Sequence, residues 1–127
     1  DRHTRLASGV RAAAGAWNMP LCAATSDVYS DTVSAIRTPD GFNATDIVTH
    51  CADTYGMAFG VGLGEVAGKV FRIGHLGMLT DAMVLSGLAT VEMAMVDLGL
   101  DVKLGSGVAA AQEIFRNTAS TQLRKAA

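Results

Sequence analysis

Apolar residues recur at every third or fourth position in three long segments of the chain. The first segment covers residues 2–17, where leucine, valine, alanine and tryptophan share one side while arginines occupy other positions; the others are 80–98 and 108–118. Because an α-helix repeats every 3.6 residues, this spacing predicts three helices. The tail, residues 120–127, is polar, and we expect it to be frayed.

Shorter runs lie between the first two of these helices. Residues 32–37 alternate polar and apolar side chains, which predicts a half-buried strand, and the runs 57–63 and 70–76 predict two more strands that pair antiparallel. A short helix is expected between the first two strands, because Asn43 can cap its start and Gly56 stands where a left-handed residue would end it. The chain therefore alternates helix and strand signals.

The segment 80–98 is apolar on nearly all sides. It follows a candidate cap, Thr80 or Asp81, and it includes Glu92 and Asp97. Each charged residue near a bilayer centre costs roughly 2.5 to 3.5 kcal/mol on insertion scales, so we expect a core helix and no membrane span. A helix that is apolar nearly all round is normally buried on both sides. We therefore expect another protein surface to cover the side that carries Ala82, Leu85, Ala89, Met93 and Val96.

The composition argues against nucleic acid and membrane surfaces as partners. The chain has 127 residues, of which 50% are hydrophobic and 17% are charged, with a formal net charge of -2. This suits one domain with a single core and gives no basic footprint for a polyanion. The cysteines, Cys22 and Cys51, have neither CxxC nor metal spacing, which predicts reduced core thiols and a cytoplasmic location. The sequence begins at Asp1 without a secretory signal, and we expect it to be part of something longer.

The glycine run 60–64, which continues to Gly68 and Lys69, has only a superficial likeness to a phosphate-binding loop. The Walker A spacing requires a glycine where this chain has Leu63, and Val70 replaces the required Ser or Thr. A dinucleotide fingerprint also fails, because the following segment is a predicted strand and not a helix whose N-terminus could hold a pyrophosphate. We expect a turn with close backbone packing.

No set of side chains in the sequence predicts a catalytic or metal centre. His3, His50 and His75 are scattered without the pairing that a metal ligand set needs. No nucleophile with a base and an orienting group is recognisable. We therefore expect no metal and no catalytic residue in this chain.

Arg72 lies in the middle of the apolar stretch GKVFRIGHLG, residues 68–77. Since strand side chains alternate, Val70, Arg72 and Gly74 share one face, which leaves space beside the arginine. A guanidinium keeps its proton and presents five donors in a planar fork, so a dry site requires an anionic partner. That partner is either one of the chain's twelve acidic residues or a carboxylate or phosphate ligand.

A wider resemblance bears on this choice. It is carried by the run TVSAIRTPDGFNATDIVTHCADTYGMAFGVGLGEVAGKVFRIGHLGMLTDAM, and it extends from RHTRLASGVRAA to LGSGVAAAQEIFR, which is nearly the whole chain. These motifs resemble the C-terminal small domain of the serine–glyoxylate and alanine–glyoxylate aminotransferases, which are pyridoxal-phosphate enzymes of class V within fold type I. In that family the arginine of the RIG strand binds the α-carboxylate of the substrate, and Arg72 is the matching position.

The resemblance also implies what this chain lacks. The cofactor, pyridoxal 5'-phosphate, would be bound by a large domain upstream, because transamination needs a lysine that binds the cofactor, an acid and a phosphate cup. None of Lys69, Lys103 and Lys125 stands in a sequence that resembles the cofactor lysine. The resemblance implies that the 127 residues contain no cofactor-binding residue and are inactive alone, and that the parent is a homodimer.

These observations lead to one expected fold and two candidate functions. We expect residues 1–127 to form an α+β small domain, with a short, mainly antiparallel sheet and helices packed largely on one face. As part of its parent, the domain would serve in moving an amino group from serine, alanine or aspartate to glyoxylate or a related 2-oxo acid. The alternative is a stand-alone, non-catalytic module that binds a small carboxylate or serves in assembly.

Overall fold

The computed structural model describes residues 2–21, 33–62, 64–74 and 80–126. Within these residues the chain forms four α-helices, three β-strands and one turn of 3₁₀-helix, Gly64–Val66. The order of the main elements is α1 (Arg2–Ala16), β1 (Val33–Arg37), α2 (Thr45–Tyr55), β2 (Gly60–Val61), β3 (Val70–Gly74), α3 (Asp81–Asp97) and α4 (Ser106–Ala126). The expected α+β class is confirmed.

The three strands form one antiparallel sheet in the order β1-β3-β2. β3 is therefore the central strand, and Arg72 lies at its middle, opposite Ala35 of β1 and Gly60 of β2. Phe71 and Ile73, which point away from the Arg72 side by strand alternation, belong to the hydrophobic core. The predicted antiparallel pairing of the second and third strands is confirmed.

The long helices α1, α3 and α4 pack against one another beside the sheet. α1 approaches α4 closely at Gly9, where a Cβ would lie 2.4 Å from the ring of Phe115. A salt bridge reinforces this contact, because Arg5 of α1 donates to both carboxylate oxygens of Asp81 at 2.5 and 2.6 Å and to the Phe115 carbonyl at 2.7 Å. The first turn of α3 is thus joined to α1 and α4.

Glu92 of α3 is buried where three helices meet. Its carboxylate accepts hydrogen bonds from the Trp17 indole at 3.0 Å, from the Gly107 amide at 2.7 Å and from the Gly105 amide at 3.3 Å, while the Ser106 hydroxyl lies 3.5 Å away. Because the first amides of a helix have no partner within it, Glu92 satisfies donors at the start of α4. The buried charge is therefore structural.

Several predicted boundaries agree with the structure. α1 and β1 lie where the apolar pattern predicts them, although Thr32 is outside the described residues. Thr80 caps α3 by accepting from the Met83 amide at 3.2 Å, and Gly56 ends α2 with φ of 69°. The glycine run also packs as expected, since a Cβ on Gly62 would lie 2.5 Å from the Val66 carbonyl oxygen.

Three predictions about the elements were wrong. The second strand has two residues where 57–63 was expected, because among the described residues 57–62 only Gly60 and Val61 pair with β3. α4 continues through Ala126 where a frayed tail was expected, because its last turns lack Gly and Pro and hold good helix formers. Asn43 stands one residue before the assigned N-cap of α2, Ala44, although its side chain still accepts from a first-turn donor, the Thr45 amide, at 3.0 Å.

In the part of the chain that the structure describes, no helix is both long enough and apolar enough to cross a membrane.

Candidate functional site

A cleft of about 640 Å³ lies between the sheet and the first half of α3. One wall is formed by the end of β3 and by the segment 57–60 that leads into β2, and the other by the side of α3 that faces this segment. The two walls meet closely at Gly87, because a Cβ there would lie 3.8 Å from the Phe59 ring and 3.9 Å from the Met57 sulfur. Both walls are largely apolar, with contributions from Met57, Phe59, Met83 and Val84.

Arg72 brings a positive charge into this cleft. Its side chain is half-buried, and its Nε–H donates to the Val61 carbonyl at 2.9 Å. Among the described residues no carboxylate forms an ion pair with Arg72; the salt bridges there join Arg5 to Asp81 and His50 to Asp97. The guanidinium is therefore held at one nitrogen while its two terminal amino groups have no acidic partner in the described structure.

The chemistry of the cleft suits binding more than catalysis. Arg72 is the one ionisable side chain among its described lining residues, and Ser86 supplies the one hydroxyl. Apolar walls lower the local dielectric, which strengthens the attraction between a guanidinium and an anion. The arrangement can hold a small carboxylate whose remainder contacts apolar surface, and the described lining offers no base for proton transfer.

Of the other candidate residues, Lys69, Cys51 and His50 do not line this cleft. Lys69 is exposed, in agreement with a solvated residue. Cys51 is a fully buried free thiol, and burial raises its pKa to about 11, which confirms an inert core cysteine. Cys22 and His75 lie outside the described residues. No group of three or more potential metal ligands occurs in the described part of the chain.

His50 belongs to a surface cluster that connects α2 with the end of α3. Its Nε2 lies 2.9 Å from Asp97, and the Tyr55 hydroxyl donates to the same carboxylate oxygen. The hydrogen bonds from Tyr55 and His50 hold the pKa of Asp97 below its usual value. The pKa of Tyr55 is raised in turn, chiefly by its hydrogen bond to Asp97. These groups are solvent-exposed and do not line the cleft, so we regard the cluster as a link between two helices.

Sequence reasoning found Arg72 but missed the groups around it. Gly60 and Val61 were placed in the predicted strand 57–63 and in the glycine run, but neither was linked to Arg72, although one lies opposite it and the other accepts its Nε–H. The role of Glu92 was missed as well, because its partners are 75 and 15 residues away along the chain. A strand register could have indicated that Gly60 and Val61 lie beside Arg72, whereas no local pattern indicates the partners of Glu92.

The chain is similar to known proteins over nearly its whole length. The chain is 66% identical over 126 residues to the L-aspartate–glyoxylate aminotransferase of Paracoccus denitrificans, which is 99% of this chain and 32% of that protein. It is 54% identical over 119 residues to the serine–glyoxylate aminotransferase of Hyphomicrobium methylovorum, covering 94% of this chain and 29% of that protein. The solved structure of pyridoxamine–pyruvate aminotransferase from Mesorhizobium loti matches with a TM-score of 0.85 and 31% identity over 92% of this chain and 30% of that one. No protein-family model matches the chain.

Over nearly its whole length this α+β chain is similar to glyoxylate aminotransferases, and its structural neighbours are class V aminotransferases. Within that class it corresponds to the C-terminal part of the serine– and aspartate–glyoxylate aminotransferases, and it spans about a third of the length of the curated relatives it matches. The resemblance noted in the sequence is thereby confirmed. The comparisons do not favour the alternative of a stand-alone carboxylate-binding module.

Proposed function

We propose that residues 1–127 are the small domain of a pyridoxal-phosphate-dependent aminotransferase and that Arg72 binds the α-carboxylate of its substrates. The amino donor would be a small amino acid, namely serine, alanine or aspartate, and the acceptor would be glyoxylate or a related 2-oxo acid. Both carry the same carboxylate next to the reacting carbon. One cationic group can therefore serve both half-reactions.

The position of Arg72 is the observation that carries this proposal. Arg72 keeps its positive charge at any physiological pH, and it lies between apolar walls. Among the described residues it has no acidic partner. An uncompensated cation in such surroundings is costly, and a bidentate carboxylate would offset that cost through two charge-assisted hydrogen bonds. The terminal amino groups, which have no acidic partner among the described residues, would thus supply the affinity.

The described residues of this chain do not themselves fit the cofactor. The described part of the cleft lining offers no lysine amine, no acid for a pyridine nitrogen and no cluster of donors for a phosphate. Pyridoxal phosphate would supply the electron sink that makes amino-group transfer possible. We therefore assign the cofactor to the large domain of the parent chain and give this chain the tasks of binding and orienting the substrate.

An exposed apolar surface on α3 supports contact with another protein surface. Met93 and Val96 of α3 are 37% and 38% exposed, which is the apolar side that the sequence predicts to be covered. We propose that the large domain or the second subunit of a homodimer covers it. A cytoplasmic location is proposed as well, and the free thiol of Cys51 supports a reducing compartment.

Steady-state kinetics on the intact enzyme test the proposal. Arg72→Ala should lower kcat/KM for donor and acceptor alike by about 30-fold to a few thousand-fold, because losing one partner of a desolvated charge pair costs about 2 to 5 kcal/mol. Arg72→Lys should recover part of the loss, since an ammonium keeps the charge but lacks the fork. Cofactor absorbance should persist in both variants.

The matched control is Arg37→Ala. Arg37 lies on the neighbouring strand β1 and does not line the cleft, so its loss should leave both half-reactions within about twofold of wild type. An Arg72→Ala enzyme with unchanged kcat/KM for both substrates would contradict the proposal.

A further inference from the structure

The strand beside Arg72 constrains how its guanidinium can lie. Arg72 faces Ala35 on one side and Gly60 on the other, so both cross-strand neighbours are small. On the Gly60 side a Cβ would lie 3.1 Å from Nε, 3.2 Å from Cβ and 3.3 Å from Nη2 of Arg72. The arginine side chain therefore lies flat across the backbone of β2, in space that exists because residue 60 has no side chain.

A backbone carbonyl then fixes the rotation of the fork. The Nε–H of Arg72 donates to the Val61 carbonyl at 2.9 Å, so this edge of the guanidinium already has its partner. A carboxylate can pair with a guanidinium side-on, through Nε and one amino group, or end-on, through both amino groups. Because Nε is engaged, the end-on pair is the one left for a ligand.

From this geometry we propose that Gly60 and the Val61 carbonyl are positioning groups that present Arg72 for end-on binding of the substrate carboxylate. The inference rests on the proposed function of Arg72 and adds the device that orients it. Because Gly60 has no side chain, the Arg72 side chain can lie against its backbone. The hydrogen bond from Nε–H to the Val61 carbonyl restricts rotation of the guanidinium. A methyl group on residue 60 would touch both the root and the head of Arg72, so the side chain could not adapt by moving its tip alone.

The first experiment is a double-mutant cycle in the intact enzyme. Gly60→Ala should raise KM for donor and acceptor by about tenfold, and Gly60→Val by about a hundredfold, because a displacement approaching 1 Å can cost that much. kcat at saturation should change little, since carboxylate binding is shared by the ground and transition states. Gly15→Ala in α1 is the control, because a Cβ there meets nothing within 4 Å.

The cycle separates positioning from a general effect on the fold. In an Arg72→Ala background, Gly60→Ala should add less than a twofold change, since there is no fork left to displace. Equal effects of Gly60→Ala in both backgrounds would overturn the inference and leave the role of Arg72 intact. If Arg72→Ala itself changes neither KM, the proposed function fails first, and the two failures are thereby distinguishable.

A second measurement needs no substitution at Gly60. In protein labelled with ¹⁵N-arginine, the Nε–H signal that disappears in Arg72→Lys should exchange slowly without substrate, because it is bonded to the Val61 carbonyl. Adding acetate as a carboxylate probe should leave this signal in place and slow the exchange of the terminal amino groups. Rapid exchange without acetate, or transfer of the Nε–H bond to acetate, would overturn end-on binding.

Discussion

Removing the buried carboxylate of Glu92 should destabilise the domain more than removing any exposed acid. The side chain is 1% exposed and accepts bonds from the Trp17 indole and from the backbone amides of Gly105 and Gly107. In Glu92→Ala these donors lose their acceptor at once. The start of α4 and the end of α1 then lose the group that joins them to α3.

The magnitude follows from the number of donors left without a partner. Two of the three bonds are buried, and an unsatisfied buried donor costs about 1 to 3 kcal/mol, so we expect a loss of about 3 kcal/mol after local relaxation. For a domain of this size that corresponds to a fall of about 12 °C in Tm. Glu92→Gln retains one acceptor oxygen and should cost about 1 kcal/mol.

Urea unfolding of the 127-residue chain measures these losses. Trp17 is the single tryptophan, so its fluorescence reports the neighbourhood of Glu92, and far-UV circular dichroism reports the helices as a whole. Glu113→Ala, at an exposed position of α4, is the control and should stay within about 0.5 kcal/mol of wild type. A Glu92→Ala chain as stable as this control would refute the assignment of Glu92 as the joint between the helices.

Two further predictions concern the surface. Tyr55→Phe should destabilise the chain slightly at neutral pH and progressively less as the pH falls below about 4. Folding lowers the pKa of Asp97, so its contribution is fully present above the unfolded pKa and is lost as the pH falls through the folded pKa. Urea titrations at several pH values test this, and an equal difference at pH 3 and 7 would contradict it. The isolated chain should bind a hydrophobic dye and self-associate, because Met93, Val96 and Leu104 are 37%, 38% and 57% exposed. In sedimentation, the variant Met93→Gln/Val96→Gln should be more monomeric than wild type. A monomeric wild type that binds no dye would count against a covered surface.

The elements that could be predicted from the sequence are those whose signal is local. The helical period of α1 and α3, the hydroxyl of Thr80 and the left-handed Gly56 each act within one or two turns, and the structure agrees with all of them. Arg72 was singled out because a charge in an apolar strand conflicts with its surroundings, and such conflicts occur mainly at functional sites.

The features that could not be predicted depend on contacts across the chain. β2 is short because its length is set by pairing with β3, which an apolar run cannot report. The end of α4 was misjudged because polarity was taken as a sign of fraying, while the residues there favour a helix. The carbonyl of Val61 has no side-chain signature at all, so only the strand register brings it to Arg72.

The central claim is that the Arg72 fork receives the substrate carboxylate, and a comparison of substrates tests it most directly. The measurement is the ratio of kcat/KM for the amino donor to that for its carboxamide, which removes the charge and leaves the rest of the molecule. Wild type should prefer the acid by about 30-fold to a few thousand-fold, and Arg72→Ala should lose nearly all of that preference because the group that reads the charge is gone. An Arg72→Ala enzyme that keeps the wild-type preference for the acid would contradict the account.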